Sequence, residues 1–327
     1  MMKQWVMAAA VLLAAGTHAN AQEHTLKLGH AAASSHAFHT GLELFAERVA
    51  EKTDGAVVIE VFGDRALGDD RQLLEGLQLG TIDGALVSAP VLPLVIGASS
   101  FDALQLPFVV GSYEKLAAAL TSPVGEELLQ TLDEKGMKGL GFIEAGQRHF
   151  LSANAPVRSV EDFKGLKTRI VPIPLHKGVW EAVGVNPIGM AYGEVYSALE
   201  TGTIDAVEIN LSSIQSESLF ESAKYVTKTG HYFWPGVIMI AGPVWERLSD
   251  AHKTALMEAG RETTEETYAA AAALEADVEA ALTEMGVSVN ELSSLAAMQE
   301  ATRPVVDEWL TKDPLIRSFY DTVTAGN

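Results

Sequence analysis

Two arginines occupy positions from which a guanidinium group can bind an anion. Arg169 lies in the short β-branched run 168–171, which Pro172 ends because proline cannot donate to a sheet ladder. In open α/β sheets, ligands bind beyond the carboxyl ends of strands, and a guanidinium there holds a carboxylate by two parallel hydrogen bonds. Arg148 follows another apolar run, 138–143, so we expect the two cations to converge. The alternative for Arg169 is a surface ion pair with a helix acid.

Other kinds of site find less support in the sequence. His30, His36 and His39 lie close together, but no further ligand follows at a spacing typical of zinc, and His-Glu-x-x-His is absent. The nucleophile pattern Gly-x-Ser-x-Gly is absent too. Asp69 and Asp70 are typical of charges at a helix start rather than of a general acid and base. We therefore expect no catalytic residue, no metal and no cofactor, and a protein that is not an enzyme.

The charge of the chain limits its partners. The formal net charge is −20 at pH 7, which argues against nucleic acid or an anionic membrane surface. An anionic ligand would be repelled by this field at a distance. Its site must therefore be local and enclosed, and screened from remote acids over about 8 Å, the Debye length at physiological salt.

Residues 1–21 have the features of a secretory signal peptide. Lys3 precedes the apolar run 6–15, and Ala19-Asn20-Ala21 offers a small-residue cleavage site. We predict cleavage after Ala21 and export to the periplasm. No other stretch reaches the roughly 18 to 20 apolar residues of a membrane span, so the exported chain is expected not to span the membrane. The chain contains no cysteine and so must fold without disulfides.

The elements that position the arginines belong to a strand–helix alternation with an internal repeat. Residues 77–85 (LQLGTIDGA) are matched by residues 199–207 (LETGTIDAV), and in both a helix ends on glycine before a buried strand begins. One copy in each half does not fit a solenoid, but it fits two similar α/β lobes with a cleft between them. We predict that each lobe is a β-sheet flanked by helices.

Two crossings of the chain are expected to join the lobes, near Glu144 and after Trp234. The first lobe is predicted to comprise residues 22–145 and 235–270, and the second residues 146–234 and 271–327. Residues 249–285 are rich in alanine and glutamate and contain no proline, which predicts one long helix of roughly 50 Å that spans both lobes. A coiled-coil seam in a dimer is the alternative for this helix, and a monomer is the expectation.

At these segments the chain resembles the extracytoplasmic solute-binding proteins of TRAP transporters, the DctP family. The resemblance covers essentially the whole chain after the signal peptide. It implies a two-lobed periplasmic receptor that closes on an organic acid and delivers it to membrane subunits driven by a sodium gradient, with Arg169 as the carboxylate clamp. The matching motifs are Gly68-Asp69-Asp70-Arg71, Gly80-Thr81-Ile82-Asp83, the segment 102–108, Lys164-Gly165-Leu166-Lys167-Thr168-Arg169 and the segment 194–199.

The same resemblance implies further ligand contacts. Glu208-Ile209-Asn210 departs from the family pattern, because many members place an asparagine where Ile209 stands, so the polar role passes to Asn210 or the pocket is more apolar there. Glu208 is expected to accept from ligand hydroxyls. The predicted contacts are Arg169, Arg148, Asn210, Tyr192, Ser88, Asp70, Glu208, His36 and Trp234. Each has a structural alternative, such as a helix-start charge for Asp70 or a filled hinge core for Trp234.

The ligand is expected to be a small monocarboxylate with hydroxyls, either a hydroxy acid or a sugar acid. A dicarboxylate stays open because Arg148 can serve a second carboxylate, and an aromatic acid because Ile209 and Trp234 can flank a ring. Two rival functions also stay open: an exported enzyme acting on a small acid, and a receptor that reports to a membrane sensor kinase.

Overall fold

The computed structural model of the protein describes residues 22–325, so the predicted signal peptide and its cleavage site lie outside the described residues. Strands and helices alternate along most of the chain. The strands are β1 (His24–Gly29), β2 (Val57–Phe62), β3 (Gly84–Ser88), β4 (Met137–Glu144), β5 (Arg148–Ser152), β6 (Lys167–Ile170), β7 (Asn186–Gly189), β8 (Ala206–Asn210), β9 (Tyr225–Lys228), β10 (Pro235–Ala241) and β11 (Ser288–Glu291).

The helices carry most of the remaining residues. The α-helices are α1 (Ala37–Lys52), α2 (Asp70–Leu79), α3 (Val91–Ile96), α4 (Tyr113–Leu120), α5 (Pro123–Gln130), α6 (Pro174–Val183), α7 (Val195–Glu200), α8 (Leu211–Ser216), α9 (Gly242–Arg247), α10 (Asp250–Glu284), α11 (Leu295–Trp309) and α12 (Pro314–Thr324). Short 3-10 helices are Ser99–Gln105, Asp133–Lys135, Val160–Phe163, Tyr192–Glu194 and Leu219–Glu221.

The strands form two mixed sheets, which confirms the predicted α/β class. The first sheet has the order β2-β1-β3-β10-β4 and the second the order β11-β9-β5-β8-β6-β7. In the first sheet β1, β2 and β3 are parallel and β10 runs antiparallel to its two neighbours. The chain passes from the first sheet to the second between β4 and β5 and returns between β9 and β10. These are the positions at which the sequence placed the crossings.

The repeated unit builds the same local structure twice. A glycine follows the helix in each copy, directly after it in the first (Gly80, φ 66°) and two residues after it in the second (Gly202, φ 67°). A carboxylate oxygen of Asp83 then accepts a hydrogen bond from the backbone N–H of Lys27 at 2.9 Å. Asp205 accepts from the backbone N–H of Lys167, also at 2.9 Å. Both aspartates thus fasten the new strand to the edge of its parallel neighbour.

Local capping fixes the start of α2. Asp69 accepts a hydrogen bond from the backbone N–H of Gln72 at 3.1 Å, and the Gln72 amide oxygen accepts from the backbone N–H of Asp69 at 2.9 Å. This reciprocal pair satisfies two backbone donors that a helix start leaves free. It therefore sets Asp70 as the first residue of the helix, directly facing the space between the two sheets.

Helix α10 contacts both lobes, as predicted. It has 35 residues and packs on α1, β4 and α4 of the first lobe and on α8 and β11 of the second. Two glycines allow the close approach to β4, because a Cβ on Gly141 would lie within 3.0 Å of the Gly260 carbonyl, and a Cβ on Gly260 within 3.0 Å of the Leu140 carbonyl. Across residues 22–325 no helix combines the length and apolarity needed to cross a bilayer.

The last helices divide between the lobes. α11 packs on α6 of the second lobe, whereas α12 packs on α4, α5 and the 3-10 helix Ser99–Gln105 of the first lobe. The predicted division assigned the whole segment 271–327 to the second lobe. The packing of α12 on the first lobe differs from that prediction. The amphipathic pattern of α12 requires a buried face, but it does not say which lobe supplies the partner surface.

Candidate ligand-binding site

A cavity of about 140 Å³ lies between the two sheets. The first lobe contributes the turn after β1, the start of α2, the end of β3 and helix α3. The second lobe contributes the start of β5, the end of β6 and the segment that follows β7. The parallel strands β1, β3 and β6 all direct their carboxyl ends toward this space, which is where open α/β sheets hold ligands.

Arg169 is a buried cation without a counter-ion. It is 3% exposed, and its Nε and Nη2 groups donate to the carbonyl of Met190 at 3.2 and 3.0 Å. No carboxylate among residues 22–325 forms an ion pair with it at 4.0 Å or less. Burial, followed by the nearby charge of Arg148, lowers the pKa of Arg169 to about 10, so it remains charged at neutral pH. Such a charge is costly to bury unless an anion joins it.

Arg148, in contrast, is neutralised by the protein itself. Its Nε group donates to a carboxylate oxygen of Glu208 at 2.7 Å, and its Nη2 group donates to the Glu208 carbonyl. The guanidinium lies 3.8 Å from the ring centre of Trp234. Burial alone would raise the pKa of Glu208, but Arg148 and the neighbouring His176 and His231 outweigh it and hold that pKa below its usual range.

The first lobe offers an acid and a hydroxyl to the cavity. Asp70 stands beside Ser88 at the end of β3, and the hydroxyl and backbone N–H of Ser88 act to lower the pKa of Asp70. Burial nevertheless raises the pKa of Asp70 to about 7, and the adjacent Asp69 adds to the rise. At neutral pH this side chain therefore exists both as a hydrogen-bond donor and as an acceptor.

His36 and Tyr192 complete the polar groups around the cavity. Burial lowers the pKa of His36 to about 3, so its ring is neutral. Because its Nδ1 accepts from the backbone N–H of Phe38 at 3.1 Å, its Nε2 carries the proton and donates to the Ser213 hydroxyl at 3.1 Å. The hydroxyl of Tyr192 is buried beside Ser213, and its ring lies 4.9 Å below the guanidinium of Arg65.

Contacts across the cleft hold the lobes together. Glu217, just after α8 of the second lobe, accepts from the backbone N–H of Ala33 and from Arg65, both at 3.2 Å and both in the first lobe. The bond from His36 to Ser213 joins the lobes as well. The structure is therefore that of a cleft closed by contacts between the lobes, with the cavity between its walls partly open to solvent. We call the pair Arg65–Glu217 the latch.

Seven of the nine predicted site residues border the cavity, and two do not. Those on its wall are Arg169, Arg148, Tyr192, Ser88, Asp70, His36 and Trp234. Glu208 lies behind Arg148 as its counter-ion. Asn210 lies beside the hinge, where its amide donates to the Ala145 carbonyl at 2.7 Å and its oxygen accepts from Ser213 at 2.8 Å.

Sequence reasoning missed an apolar part of the wall. Val91, Leu94 and Val95 of α3 face the cavity from the first lobe, and Val171 and Met190 face it from the second. The run 91–96 reads as an ordinary buried helix, so no pattern in the sequence marks it as lining a site. The latch was missed too, because its two residues lie far apart in the chain.

His30, His36 and His39 do not bring three ligand atoms together. His30 Nε2 and His39 Nδ1 are hydrogen bonded at 2.9 Å, and His36 is engaged across the cleft. A different group, Glu23, His24 and His252, brings three ligand atoms within 4.8 Å of one another. None of these three borders the cavity, so this group has no part in the candidate site.

Comparison with known proteins identifies close relatives of the chain. The family model DctP, described as bacterial extracellular solute-binding protein, family 7, matches residues 28–313. A relative from Rhodobacter capsulatus, the C4-dicarboxylate-binding periplasmic protein DctP, is 32% identical over 310 residues, which cover 93% of this chain and 91% of the relative.

Solved structures agree with the sequence relatives. The sugar acid binding protein DctPAm from Advenella mimigardefordensis, in complex with galactonate, has a TM-score of 0.86 and 27% identity, over 91% of this chain and 97% of that one. A TRAP periplasmic solute-binding protein from Bordetella bronchispeptica, with density interpreted as pantoate, has a TM-score of 0.85 and 32% identity, over 91% and 99%. The acids bound by these relatives differ in charge, size and polarity.

Proposed function

The chain belongs to family 7 of the bacterial extracellular solute-binding proteins, the DctP family, and on this premise we propose that it is the periplasmic receptor of a TRAP transporter. The family consists of solute-binding receptors rather than enzymes. The ligand is a small organic acid, either a hydroxy acid or a sugar acid, held between the lobes by Arg169. The loaded receptor is a monomer that delivers the acid to the membrane subunits, after cleavage of its signal peptide following Ala21.

The observation that carries this proposal is the unpaired charge of Arg169. A buried guanidinium without a carboxylate costs several kcal/mol, at least in part recovered when an anion enters. The Met190 carbonyl accepts hydrogen bonds from Nε and Nη2 of Arg169 and so orients its guanidinium group. Nη1 makes no hydrogen bond within the described residues. A ligand carboxylate at this position completes the set of donors and removes the uncompensated charge.

Closure of the cleft follows from the same arrangement. Arg169 and Arg148 belong to the second lobe, and Asp70 and Ser88 to the first, so a ligand between them contacts both lobes only when the cleft is closed. Ligand binding then shifts the population toward the closed state, because those first-lobe contacts exist in that state alone. The closed shape is what the membrane subunits would recognise.

A thermal-melting panel tests the proposal. Small organic acids are added to the wild type, to Arg169→Met and to the control Arg261→Met, which removes an exposed arginine of α10. A ligand present at about 100 times its dissociation constant stabilises by roughly 2.7 kcal/mol, a rise of several degrees in Tm. We expect one class of acid to raise the Tm of the wild type and the control but not of Arg169→Met. An equal rise in all three would contradict the clamp.

A further inference from the structure

We propose that the ligand is a singly charged α-hydroxy or α-oxo acid with a small aliphatic body, rather than a sugar acid or a dicarboxylate. This inference rests on the proposed function of the same cavity and names the class of acid that it takes. Three independent features of the wall lead to it: its net charge, its large apolar part, and its size.

The charge of the wall fits one carboxylate. Arg148 and Glu208 form a buried pair at 2.7 Å, so they cancel, and Arg169 leaves one positive charge. A second carboxylate would face the acid Asp70 on the opposite wall. Arg71 also borders the cavity, but its side chain is 56% exposed and its guanidinium faces Glu75 at 4.0 Å. A dicarboxylate would therefore bury one charge without a partner.

Several polar groups on the wall are already engaged within the protein. His36 donates to Ser213, Ser213 donates to Asn210, and the carboxylate of Asp69 caps α2. The rest of the wall is formed largely by side chains without polar atoms. The apolar residues that face the cavity include Phe38, Val91, Leu94, Val95, Val171 and Met190.

A sugar acid would leave hydroxyls against these apolar side chains. Each buried hydroxyl without a partner costs roughly tenfold or more in affinity. An aliphatic body at the same place buries its own apolar surface and leaves no group unpaired. The wall thus disfavours a ligand with a polyhydroxylated carbon chain and favours a ligand with a short or branched aliphatic body.

The remaining polar groups of the wall can bind one oxygen atom of the ligand, on the carbon next to its carboxylate. Asp70, Ser88 and Tyr192 line the same cavity as Arg169, and the charge of Asp70 raises the pKa of Arg169. Asp70 can accept from a hydroxyl when ionised and can donate to an oxo group when protonated. A substituent at the α-carbon reaches these groups while the carboxylate binds Arg169.

The cavity volume sets the size of the ligand. An apolar protein cavity of roughly 150 Å³ holds one benzene molecule. The cavity here, about 140 Å³, is of that size. It accommodates an acid such as α-hydroxyisovalerate, whereas a six-carbon sugar acid has about twice as many non-hydrogen atoms as benzene and exceeds this volume.

Calorimetric titration with matched acids tests the inference. The probes are α-hydroxyisovalerate, isovalerate, succinate and galactonate, each with the wild type, Arg169→Met and Val95→Thr. We expect α-hydroxyisovalerate to bind at least about thirtyfold more tightly than galactonate or succinate, since galactonate would leave several hydroxyls unpaired and succinate would bury a second charge without a partner. Isovalerate, which lacks the α-oxygen, should bind roughly tenfold more weakly than its hydroxy analogue. Val95→Thr adds a hydroxyl to the wall at nearly constant volume. It should reduce the ratio between the affinity for α-hydroxyisovalerate and the affinity for galactonate.

Other results of this titration would each overturn a specific part of the proposal. Tighter binding of galactonate or succinate that is lost in Arg169→Met overturns the inference and leaves the receptor function intact. Equal affinity for isovalerate and α-hydroxyisovalerate overturns the role assigned to the α-oxygen. If no acid binds the wild type, or if binding persists unchanged in Arg169→Met, the proposed function falls together with the inference.

Discussion

The two lobes share one scaffold but present different chemistry to the cleft. In the first lobe β1 pairs with β3 through Gly29 and Ala85, and in the second β6 pairs with β8 through Arg169 and Val207. Because Ala85 and Val207 are equivalent in the repeated unit, Gly29 and Arg169 hold equivalent places. A Cβ at Gly29 would lie 2.9 Å from Leu73 of α2, so the first lobe has no room there for a side chain.

This difference separates the tasks of the lobes. The second lobe provides the buried charges, and the first provides one acid of raised pKa, one hydroxyl and an apolar helix. We infer that the second lobe binds the ligand carboxylate and that the first lobe contacts the rest of the ligand when the cleft closes. Variants of each lobe test this division of tasks.

The largest effect is expected from the buried charges of the second lobe. Glu208→Gln removes the counter-ion of Arg148 and leaves two buried arginines together, which should lower the free energy of unfolding by about 3 kcal/mol or more at pH 7.5. Urea denaturation measures this change in the free energy of unfolding. Asp70→Asn removes an acid from the first lobe and is the matched control, which should not destabilise at this pH. Equal losses in the two variants would show that the lobes do not differ as described.

A smaller and symmetrical effect is expected in the repeated unit. Asp83→Ala and Asp205→Ala each remove the acceptor of one backbone N–H of an internal strand, at a cost of roughly 1.5–3 kcal/mol. Urea denaturation of the single and double variants should give similar and additive losses, because the sites are in separate lobes. Asp83→Asn and Asp205→Asn keep an acceptor oxygen and serve as controls. A large loss in only one lobe would mean that the copies are not equivalent.

The acid of the first lobe predicts a pH dependence. Because burial raises the pKa of Asp70 to about 7, the fold favours its protonated form. The associated stability is present below the ordinary aspartate pKa of about 4 and is lost as the pH rises through about 7. Asp70→Asn should therefore gain stability over the wild type at pH 8 but not at pH 4.

The same titration should affect ligand affinity. An ionised Asp70 repels a ligand carboxylate held nearby, so the Kd of the wild type should rise between pH 6 and pH 8, by at most about tenfold per pH unit. The Kd of Asp70→Asn should change little over this range. A wild-type Kd that is constant from pH 6 to pH 8 would place Asp70 too far from the bound acid to act on it.

The smallest effect is expected at the latch. Glu217 and Arg65 are partly exposed, with 16% and 28% of their side chains accessible, so their ion pair is worth about 1 kcal/mol at most. Glu217→Gln should weaken binding up to roughly fivefold without affecting the stability of either lobe. Glu265→Gln, which removes an exposed ion pair within α10, is the control. An unchanged Kd in both variants would remove the latch from the closing mechanism.

Sequence reasoning predicted the elements well where the local pattern determines them. The alternation of strands and helices, the long helix α10 and the strand that presents Arg169 follow from apolar spacing, glycine stops and Pro172. The family resemblance added first-lobe contacts such as Asp70 and Ser88, which border the cavity. These features depend on neighbours in the chain or on motifs of several consecutive residues.

The relations that the sequence did not reveal are those set by tertiary register. Glu208 neutralises Arg148 because β5 and β8 pair antiparallel with Arg148 opposite Asn210, a register that no local pattern encodes. For the same reason Glu208 and Asn210, which were expected to contact the ligand, do not border the cavity. The return of α12 to the first lobe likewise depends on which surface remains uncovered after the sheets have formed.

The latch also has a consequence for the rate of ligand release. Its contacts form after the ligand has met the open cleft, so they should contribute little to the association rate and mainly prolong the residence time of the bound acid. A single partly exposed pair changes that time only severalfold. The receptor can thus retain its cargo while diffusing and still release it promptly, because a membrane partner that draws Glu217 away from Arg65 needs to supply little work.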